Sequence, residues 1–363
     1  MNKEKDKILS EQMFKYPDKL TDSSNETNLP VFANRATRGF SQLSRKDKRK
    51  QISLADILTD ENIQTLELSN QNLIYNFAIG DQNKEYKFSN IPNTGASKIF
   101  FMALAKFTSQ NSTDNLKNNN INLDVTIPLK EYARLCEKDI DPNPDAPDQK
   151  KEKARARRNL SKFKKDVENH LTNVIHTSTS FRQTVKGKTV DFGVMNILEI
   201  GRVCRGYIYI TFTKSFANAL LEISVQSRFN KNLLAIDERN SNAFILGQEL
   251  VDHYSNYGFQ RQGTHDRRII KGLLELLDLP SYDQVLAQGR SWNERIKEPF
   301  ETALDELTRK NVLINWEYGR ANGEKITDDE SFLFDFEEWQ NLRLYFEISE
   351  SKEALEPIKS KPD

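Results

Sequence analysis

The run KKEKARARRNLSKFKKDVENHLTNV (residues 150–174) decides how the fold is interpreted, because it combines a helical apolar pattern with a block of cations. Its apolar side chains recur at intervals of three and four residues, which predicts an amphipathic helix. They are Leu160, Phe163, Val167 and Leu171. Residues 150–165 hold nine basic side chains and one acidic side chain, so the local net charge is +8.

The segments upstream of this helix predict a helix, a strand and a second helix. Residues 93–110 have the mixed three- and four-residue spacing of a buried helix, and residues 121–129 alternate as a short strand. Residues 128–139 begin with Pro128 at a helix entry and place apolar side chains on one helical face. The Pro- and Asp-rich residues 141–148 predict a loop before the basic helix.

The segments downstream of the basic helix predict strands. Residues 174–181 and 188–200 are rich in β-forming side chains, and residues 205–213 alternate as a half-buried strand. Residues 214–224 predict a short helix behind the sheet. The resulting order of helix, strand, helix, helix and strands is the order of a winged-helix domain.

The C-terminal part of the chain predicts a second unit of the same kind. Residues 240–258 predict a capped helix that ends at Gly258, and residues 264–280 predict a helix that ends at Pro280. Residues 291–313 predict a third helix, with Ser291 and Glu294 in a capping-box pattern.

A strand, an exposed loop and a second strand are predicted to follow as a wing, over residues 312–319, 320–330 and 331–336. The predicted fold class is therefore α+β, with two tandem winged-helix domains and a disordered N-terminal tail. The predicted boundaries are a polar and basic tail at 1–50, a first domain at 51–227, a linker at 228–240, a second domain at 241–347 and a tail at 348–363.

Composition narrows the functional classes. The chain has 363 residues with 53 basic and 53 acidic side chains, so DNA binding must be argued from local charge and not from the total. Its two cysteines form no metal-ligand pattern, and no apolar h-region or membrane-length run is present, which predicts a cytoplasmic protein without a membrane span. We expect no metal and no other cofactor.

Catalytic motifs are not found either. The four histidines form no His-x-His pair, which a metal-dependent nickase requires. The sequence KGKTV (residues 186–190) is similar to the end of a P-loop, but Arg182 stands where the first glycine is needed. The sequence therefore predicts a binding protein and not an enzyme.

Basic side chains in three regions are the candidate DNA contacts. The first region is the basic helix, where cations lie on a stripe separated from the apolar stripe, as insertion into a groove requires. Its candidates are Lys150, Lys151, Arg155, Arg157, Arg158, Lys162 and Lys165. The alternative interpretation of this helix is a solvated face, which usually mixes both signs of charge.

The other two regions are the predicted starts of the second and third helices in the second unit. The wing tip of that unit adds two further candidates. In a helix-turn-helix arrangement these helix ends face the duplex. The candidates are Arg261, Arg267, Arg268 and Lys271, then Arg290, Asn293, Arg295 and Lys297, and at the wing Arg320 and Lys325. Residues 328–356 carry ten acidic and two basic side chains and form either a solubilising region or a competitor of DNA for the basic faces.

Taken together, the runs NSNAFILGQELVDHYSNYG (240–258), IIKGLLELLDLPSYDQV (269–285) and NVLINWEYG (311–319) resemble the C-terminal winged helix of theta-type plasmid replication initiators, the Rep proteins. The run IPLKEYARLC (127–136), the basic helix and YIYITFTKSFANALLE (207–222) are similar to their first winged helix. The resemblance covers roughly residues 90–340, as a pattern with the same order of elements.

This resemblance implies binding to repeated double-stranded sites at an origin, and recruitment of host replication proteins such as a helicase or an initiator. It also implies a homodimer formed through the N-terminal domain. Two alternatives stay open at this point. One is a transcriptional repressor or phage regulatory protein built from the same modules, and the other is an adaptor whose winged helices bind proteins.

Overall fold

Helices and antiparallel strands alternate along the chain in the computed structural model, which is a mixed helical and sheet structure. In the part of the chain that the structure describes, no helix is long and apolar enough to cross a membrane. The described residues are 28–33, 84–88, 93–111, 121–176, 178–185, 188–223, 225–255, 260, 262–326, 330 and 333–349.

The first half of the chain contains four helices and eight strands among these residues. In chain order they are β1 (Asn28–Ala33), β2 (Lys84–Phe88), α1 (Thr94–Gln110), β3 (Asp124–Pro128), α2 (Leu129–Leu135), α3 (Gln149–Ile175), β4 (Ser178–Val185), β5 (Lys188–Asn196), β6 (Leu198–Cys204), β7 (Tyr207–Phe212), α4 (Lys214–Ile223) and β8 (Val225–Asn230). We call the set α1, β3, α2, α3, β6 and β7 the first unit.

Helix α1 is the centre of the first unit. The side chain of Asn93 caps it by accepting a hydrogen bond from the Ala96 amide at 2.7 Å. The helix is apolar on nearly all sides, as expected of a helix that is buried all round. Its Phe107 ring lies 5.1 Å from the ring of Phe212 on β7, so the helix packs directly on the sheet.

The second half of the chain begins with a 3-10 helix (Lys231–Ala235). The elements after it are α5 (Ser241–Ser255), β9 (Arg267–Ile269), α6 (Ile270–Leu274), α7 (Tyr282–Ala287), a π-helical turn (Asn293–Lys297) that runs into α8 (Glu298–Arg309), β10 (Leu313–Gly319), β11 (Lys325–Ile326), α9 (Phe336–Gln340) and β12 (Arg343–Ile348). We call the set from α5 to β12 the second unit.

The two units share one arrangement of strands. In the first unit the sheet order is β3-β7-β6, and in the second it is β9-β12-β10 with β11 added at the edge. In each, the strand that follows the first helix pairs antiparallel with the last strand. The last strand also pairs antiparallel with an earlier strand, which is β6 in the first unit and β10 in the second. The first unit places β3 and α2 between α1 and the longer α3, and the second places β9, α6 and α7 between α5 and the helical run 293–309 that ends in α8. That run is called the third helix of the second unit below, because it corresponds to the helix predicted as the third.

The segment predicted as a linker, residues 228–240, packs its apolar side chains, while Asp237 and Arg239 in it are exposed. It forms the end of β8 and the 3-10 helix, and its apolar side chains Leu233, Leu234 and Ile236 are buried. A Cβ atom added at Gly247 of α5 would lie 2.5 Å from Leu233 Cδ2 and from Leu307 Cδ2. The glycine therefore allows this segment and α8 to approach α5 closely.

A buried lysine joins this segment to the first unit. Lys98 of α1 is 2% exposed, and its Nζ donates hydrogen bonds to the carbonyl oxygens of Leu234, at 3.0 Å, and of Ile236. Desolvation lowers the pKa of this amine from its usual value. The carbonyl groups that receive its hydrogens would otherwise be buried acceptors at the end of the 3-10 helix.

Two further polar contacts tie the second unit to the chain before it. Lys310 forms an ion pair with Glu137, and the side-chain amide of Asn232 donates to the Asn311 carbonyl oxygen at 2.8 Å. The predicted division into domains at residues 227 and 241 stays a prediction.

Three sequence-based expectations about elements are corrected by the structure. The helix predicted over 264–280 begins as strand β9, because Arg267, Arg268 and Ile269 pair with residues 343–345 of β12. Residues 28–33, which belong to the segment predicted as disordered, form β1 and pair with β8. The rest of the 1–50 segment, including the basic run 45–50, lies outside the described residues.

The third correction concerns the wing. Phe336, predicted at the end of a strand, is the first residue of α9, because Asp335 and Glu338 form a capping box at that point. The strand that pairs with β10 is β12, which lies inside the acidic segment. The hairpin of β10 and β11 is present, and its tip is formed by residues 320–324.

Candidate nucleic-acid interface

Helix α3 confirms the predicted basic helix and its two faces. Asp148 caps its first turn by accepting hydrogen bonds from the amides of Lys150 and Lys151. The buried face consists of small, apolar and imidazole side chains. They are Ala156, Phe163, Val167, His170, Leu171 and Val174.

Most of the cations lie about 100–180° around the helix from the centre of the buried face at 3.6 residues per turn, and Lys153 lies about 60° from it. Six of them make no ion pair within the described residues and are exposed. They are Lys150, Lys153, Arg157, Arg158, Lys162 and Lys165. They extend over about 22 Å of helix at 1.5 Å per residue. This surface is called the α3 basic face below.

Arg155 is a correction to the predicted set, because its guanidinium is used inside the protein. It forms ion pairs with Asp139 and with Glu152, whose side chain is only 14% exposed. Arg155 is only one-third exposed. We therefore assign Arg155 to the packing of the loop before α3 and not to DNA contact.

The loop before α3, residues 141–148, is held along the same helix by polar contacts. The side-chain amide of Gln149 donates hydrogen bonds to the carbonyl oxygens of Asn143, Pro144 and Ala146, at 2.7 to 3.2 Å. The backbone N–H of Asn143 in turn donates a hydrogen bond to the Glu152 carboxylate at 2.9 Å. The loop is thereby kept on the side of Glu152 and Arg155, away from the α3 basic face.

Two further lysines of α3 have acidic neighbours but stay accessible. Lys151 lies 3.4 Å from Asp148, and Lys164 lies 3.5 Å from Glu168. Exposed pairs of this kind contribute about 0.2–1 kcal/mol, so a phosphate can replace the carboxylate at little cost. Lys151 therefore remains in the candidate set.

In the second unit, the residues predicted at the start of a helix lie on and beside β9. Arg268 faces α5 and pairs with Glu249 at 3.0 Å, which removes it from the set of accessible cations. Arg267 donates to the Gly263 carbonyl oxygen at 2.7 Å and lies 6.0 Å from the centre of the Tyr345 ring. Lys271 is exposed at the start of α6, and Arg261 lies outside the described residues.

The third helix of the second unit differs in charge from α3. Lys297, a predicted contact, is 1% exposed and lies 3.9 Å from Glu301, so the prediction for this residue is wrong. Arg290 and Arg295 are exposed and Asn293 is half-buried. The remaining exposed charges of the helical run 293–309 are mostly acidic: Glu294, Glu298 and Asp305, with Arg309 at its end.

The hairpin tip carries the last two predicted residues, and both are exposed. Arg320 lies 3.4 Å from Glu324 and 5.7 Å from the ring centre of Phe334, while Lys325 pairs with Glu317 at 2.8 Å. Because these pairs are solvated, both cations remain accessible to an anionic partner.

Three accessible cations on the candidate surfaces were missed by the sequence interpretation. Lys153 and Lys164 belong to the basic run of α3 and are exposed. Arg343 stands in the acidic segment, and only the pairing of β12 with β9 and β10 brings it beside Arg267 and the hairpin. Among the described residues, no group of three His, Cys, Asp or Glu side chains could hold a metal ion.

Comparisons with known proteins give little beyond the structure itself. No family model matches the sequence, and no curated protein matches it. The solved structures that resemble it include domains 2 and 3 of RctB, at 11% sequence identity over 74% of this chain and 87% of that chain. The TM-score is 0.33, and a likeness this weak supports no conclusion about fold or function.

Proposed function

We propose that this chain binds double-stranded DNA in a sequence-dependent way and acts as a replication initiator. The observation that carries the proposal is the α3 basic face, where six exposed cations without an ion pair in the described residues lie outside a buried stripe. A helix that docks by one side and presents cations on the other has the form needed to lie in the major groove. Phosphate contacts would supply most of its affinity.

The order of elements supports the winged-helix part of the proposal. In both units the chain runs through a first helix, a strand, one or more short helices, a longer third helix and then antiparallel strands. In the first unit the third helix is α3, so the charged helix occupies the position of a recognition helix. Two such units in tandem suit a DNA site longer than one groove contact.

The initiator role itself rests on the resemblance to the Rep proteins, together with this tandem arrangement. We propose a binding role and no catalysis, with host replication proteins such as a helicase as partners and a homodimer formed through the first unit. A repressor of the same build is the second candidate, because it would use the same surfaces on DNA.

The experiment that tests this function is selection of bound fragments from the replicon that encodes the protein, with the full chain and non-specific competitor DNA. We expect enrichment of fragments that carry direct repeats. Enrichment of a single palindrome would favour the repressor instead. Absence of any duplex binding at low salt would contradict both and leave the adaptor.

A further inference from the structure

A basic cleft with a volume of about 460 Å³ lies where β9, α6 and β12 meet in the second unit. Five charged side chains line it, four of them cationic and one acidic. They are Arg267, Arg268, Lys271 and Arg343, with Glu275 as the acid. Ile269, which is 50% exposed, also lines the cleft.

Two of the arginines are held in place by the protein. Arg268 is fixed by its pair with Glu249, at 3.0 Å. Arg267 is fixed by the Gly263 carbonyl oxygen and by the Tyr345 ring, while its Nε atom has no hydrogen-bond partner among the described residues. This Nε atom is buried and lies 4.0 Å from the Asp266 carboxylate, so Arg267 forms part of the wall of the cleft.

Lys271 and Arg343 have no ion pair in the described part of the chain and supply the accessible charge of the cleft. His253 forms part of the wall, and its Nε2 lies 2.9 Å from the Thr264 carbonyl oxygen and 3.1 Å from that of Arg267. Desolvation lowers the pKa of this imidazole to about 4, so the ring is neutral at pH 7. The accessible positive charge thus comes from Lys271 and Arg343.

The cations continue from the cleft across the outer face of the sheet. Arg343 lies opposite Ile269 on one side and opposite Gly319 on the other, and Gly319 lies opposite Lys325. Because neighbouring strands are about 4.8 Å apart, Arg343 and Lys325 are about 10 Å apart across the sheet. A row of this kind suits an extended polyanion better than a single small anion.

The third helix of the second unit is a poorer surface for an anion. Glu294, Glu298 and Asp305 are exposed on the run that ends in α8. Phosphates near these carboxylates would be repelled, whereas four cations and one acid line the cleft. The surface suited to DNA is therefore the third helix in the first unit and the cleft beside the sheet in the second unit.

We propose that this cleft binds phosphate groups of the DNA backbone, so that the second unit contacts the duplex through the β9 and β12 edge of its sheet and not through α8. This inference rests on the proposed function. A free nucleotide phosphate has the same chemistry, and the row of cations favours the backbone as its source.

The test uses the full chain, with Lys271→Ala, Arg343→Ala and the double variant. The binding constant for a selected duplex and for an unrelated duplex is measured by fluorescence anisotropy between about 50 and 300 mM salt. We expect the slope of log K against log salt to fall by about 0.9 for each residue, equally on both duplexes. Arg295→Ala removes an exposed candidate contact of the third helix, which this inference sets aside in favour of the cleft, and it is expected to leave the slope unchanged.

A second arm titrates pyrophosphate into the wild-type chain by calorimetry, to detect a site for free phosphates. We expect no saturable binding at millimolar concentration. The inference is overturned if the double variant keeps the wild-type slope, whether or not pyrophosphate binds. It is also overturned if Arg295→Ala lowers the slope and the cleft variants do not.

These outcomes separate the inference from the function on which it rests. If the wild-type chain binds no duplex, the proposed function fails and the cleft inference fails with it. If the wild type binds duplex and variants of the α3 basic face weaken that binding while the cleft variants do not, only the cleft inference fails. Melting temperatures of the variants, expected to match the wild type, show that each is folded.

Discussion

The double variant Arg157→Ala, Arg158→Ala is expected to bind duplex DNA about 60-fold more weakly than the wild type at about 0.1 M salt. Both side chains are exposed on the α3 basic face and have no internal ion pair in the described residues. Each lost phosphate contact removes about 0.9 from the slope of log K against log salt, or about eightfold in affinity at that salt concentration. Fluorescence anisotropy over a salt series measures both quantities.

The matched control is Arg155→Ala, the same substitution one helical turn away. Arg155 is held by Asp139 and Glu152, so its loss is expected to lower the free energy of unfolding by about 1 kcal/mol and to leave the salt slope unchanged. If Arg155→Ala weakened DNA binding more than the double variant did, the assignment of faces on α3 would be wrong.

Replacement of the buried lysine is the second large effect that we expect. Lys98→Ala should lower the free energy of unfolding by about 3 kcal/mol, because two buried carbonyl oxygens lose a charged donor and the lysine stem leaves a cavity. The carbonyls belong to Leu234 and Ile236, in the segment between the units. Urea unfolding followed by circular dichroism measures the change.

Two further variants separate the causes of this loss. Lys98→Met keeps most of the apolar stem but lacks the amine. The fall in the free energy of unfolding that remains in this variant therefore reports the lost hydrogen bonds. Lys153→Ala removes an exposed lysine of α3 and should change the free energy of unfolding by less than about 0.5 kcal/mol. A Lys98→Ala variant as stable as the wild type would show that the amine does not hold the segment in place.

Local patterns predict the helices of this protein well where one face is apolar and the other charged. Helix α3 follows from residues 150–174 alone, since its buried positions recur at helical spacing. The same spacing predicts its basic face. It also explains why the third helix of the second unit was recognised, because Phe300, Ala303, Leu304 and Leu307 form a continuous buried stripe.

Long-range pairing is what the sequence interpretation missed. Strand β9 has only three residues, and its assignment depends on β12, which lies more than 70 residues away in the chain. Residues 228–240 were predicted as a linker from their polar composition, which stays a prediction, but the burial of Leu233, Leu234 and Ile236 within them was not foreseen. Their burial depends on Lys98 and on the close approach at Gly247, and neither is visible locally.

Which cations are accessible could be predicted only in part. The pairs Arg155 with Glu152 and Lys297 with Glu301 stand at spacings of three and four residues, so both internal pairs had a signal in the sequence. The pair of Arg268 with Glu249 had no signal in the sequence, because it joins β9 to α5. Arg343 likewise became a candidate only through the register of β12.

Photo-crosslinking from the α3 basic face tests the central claim most directly. Ser161 is exposed in the middle of that face, and Thr302 is exposed on α8. A photo-reactive group is attached to Ser161→Cys or to Thr302→Cys, with Cys204→Ser in both because Cys204 is exposed while Cys136 is buried. We expect Ser161→Cys to crosslink to a bound duplex and Thr302→Cys not to. Retained duplex affinity without a crosslink from Ser161→Cys would contradict the account.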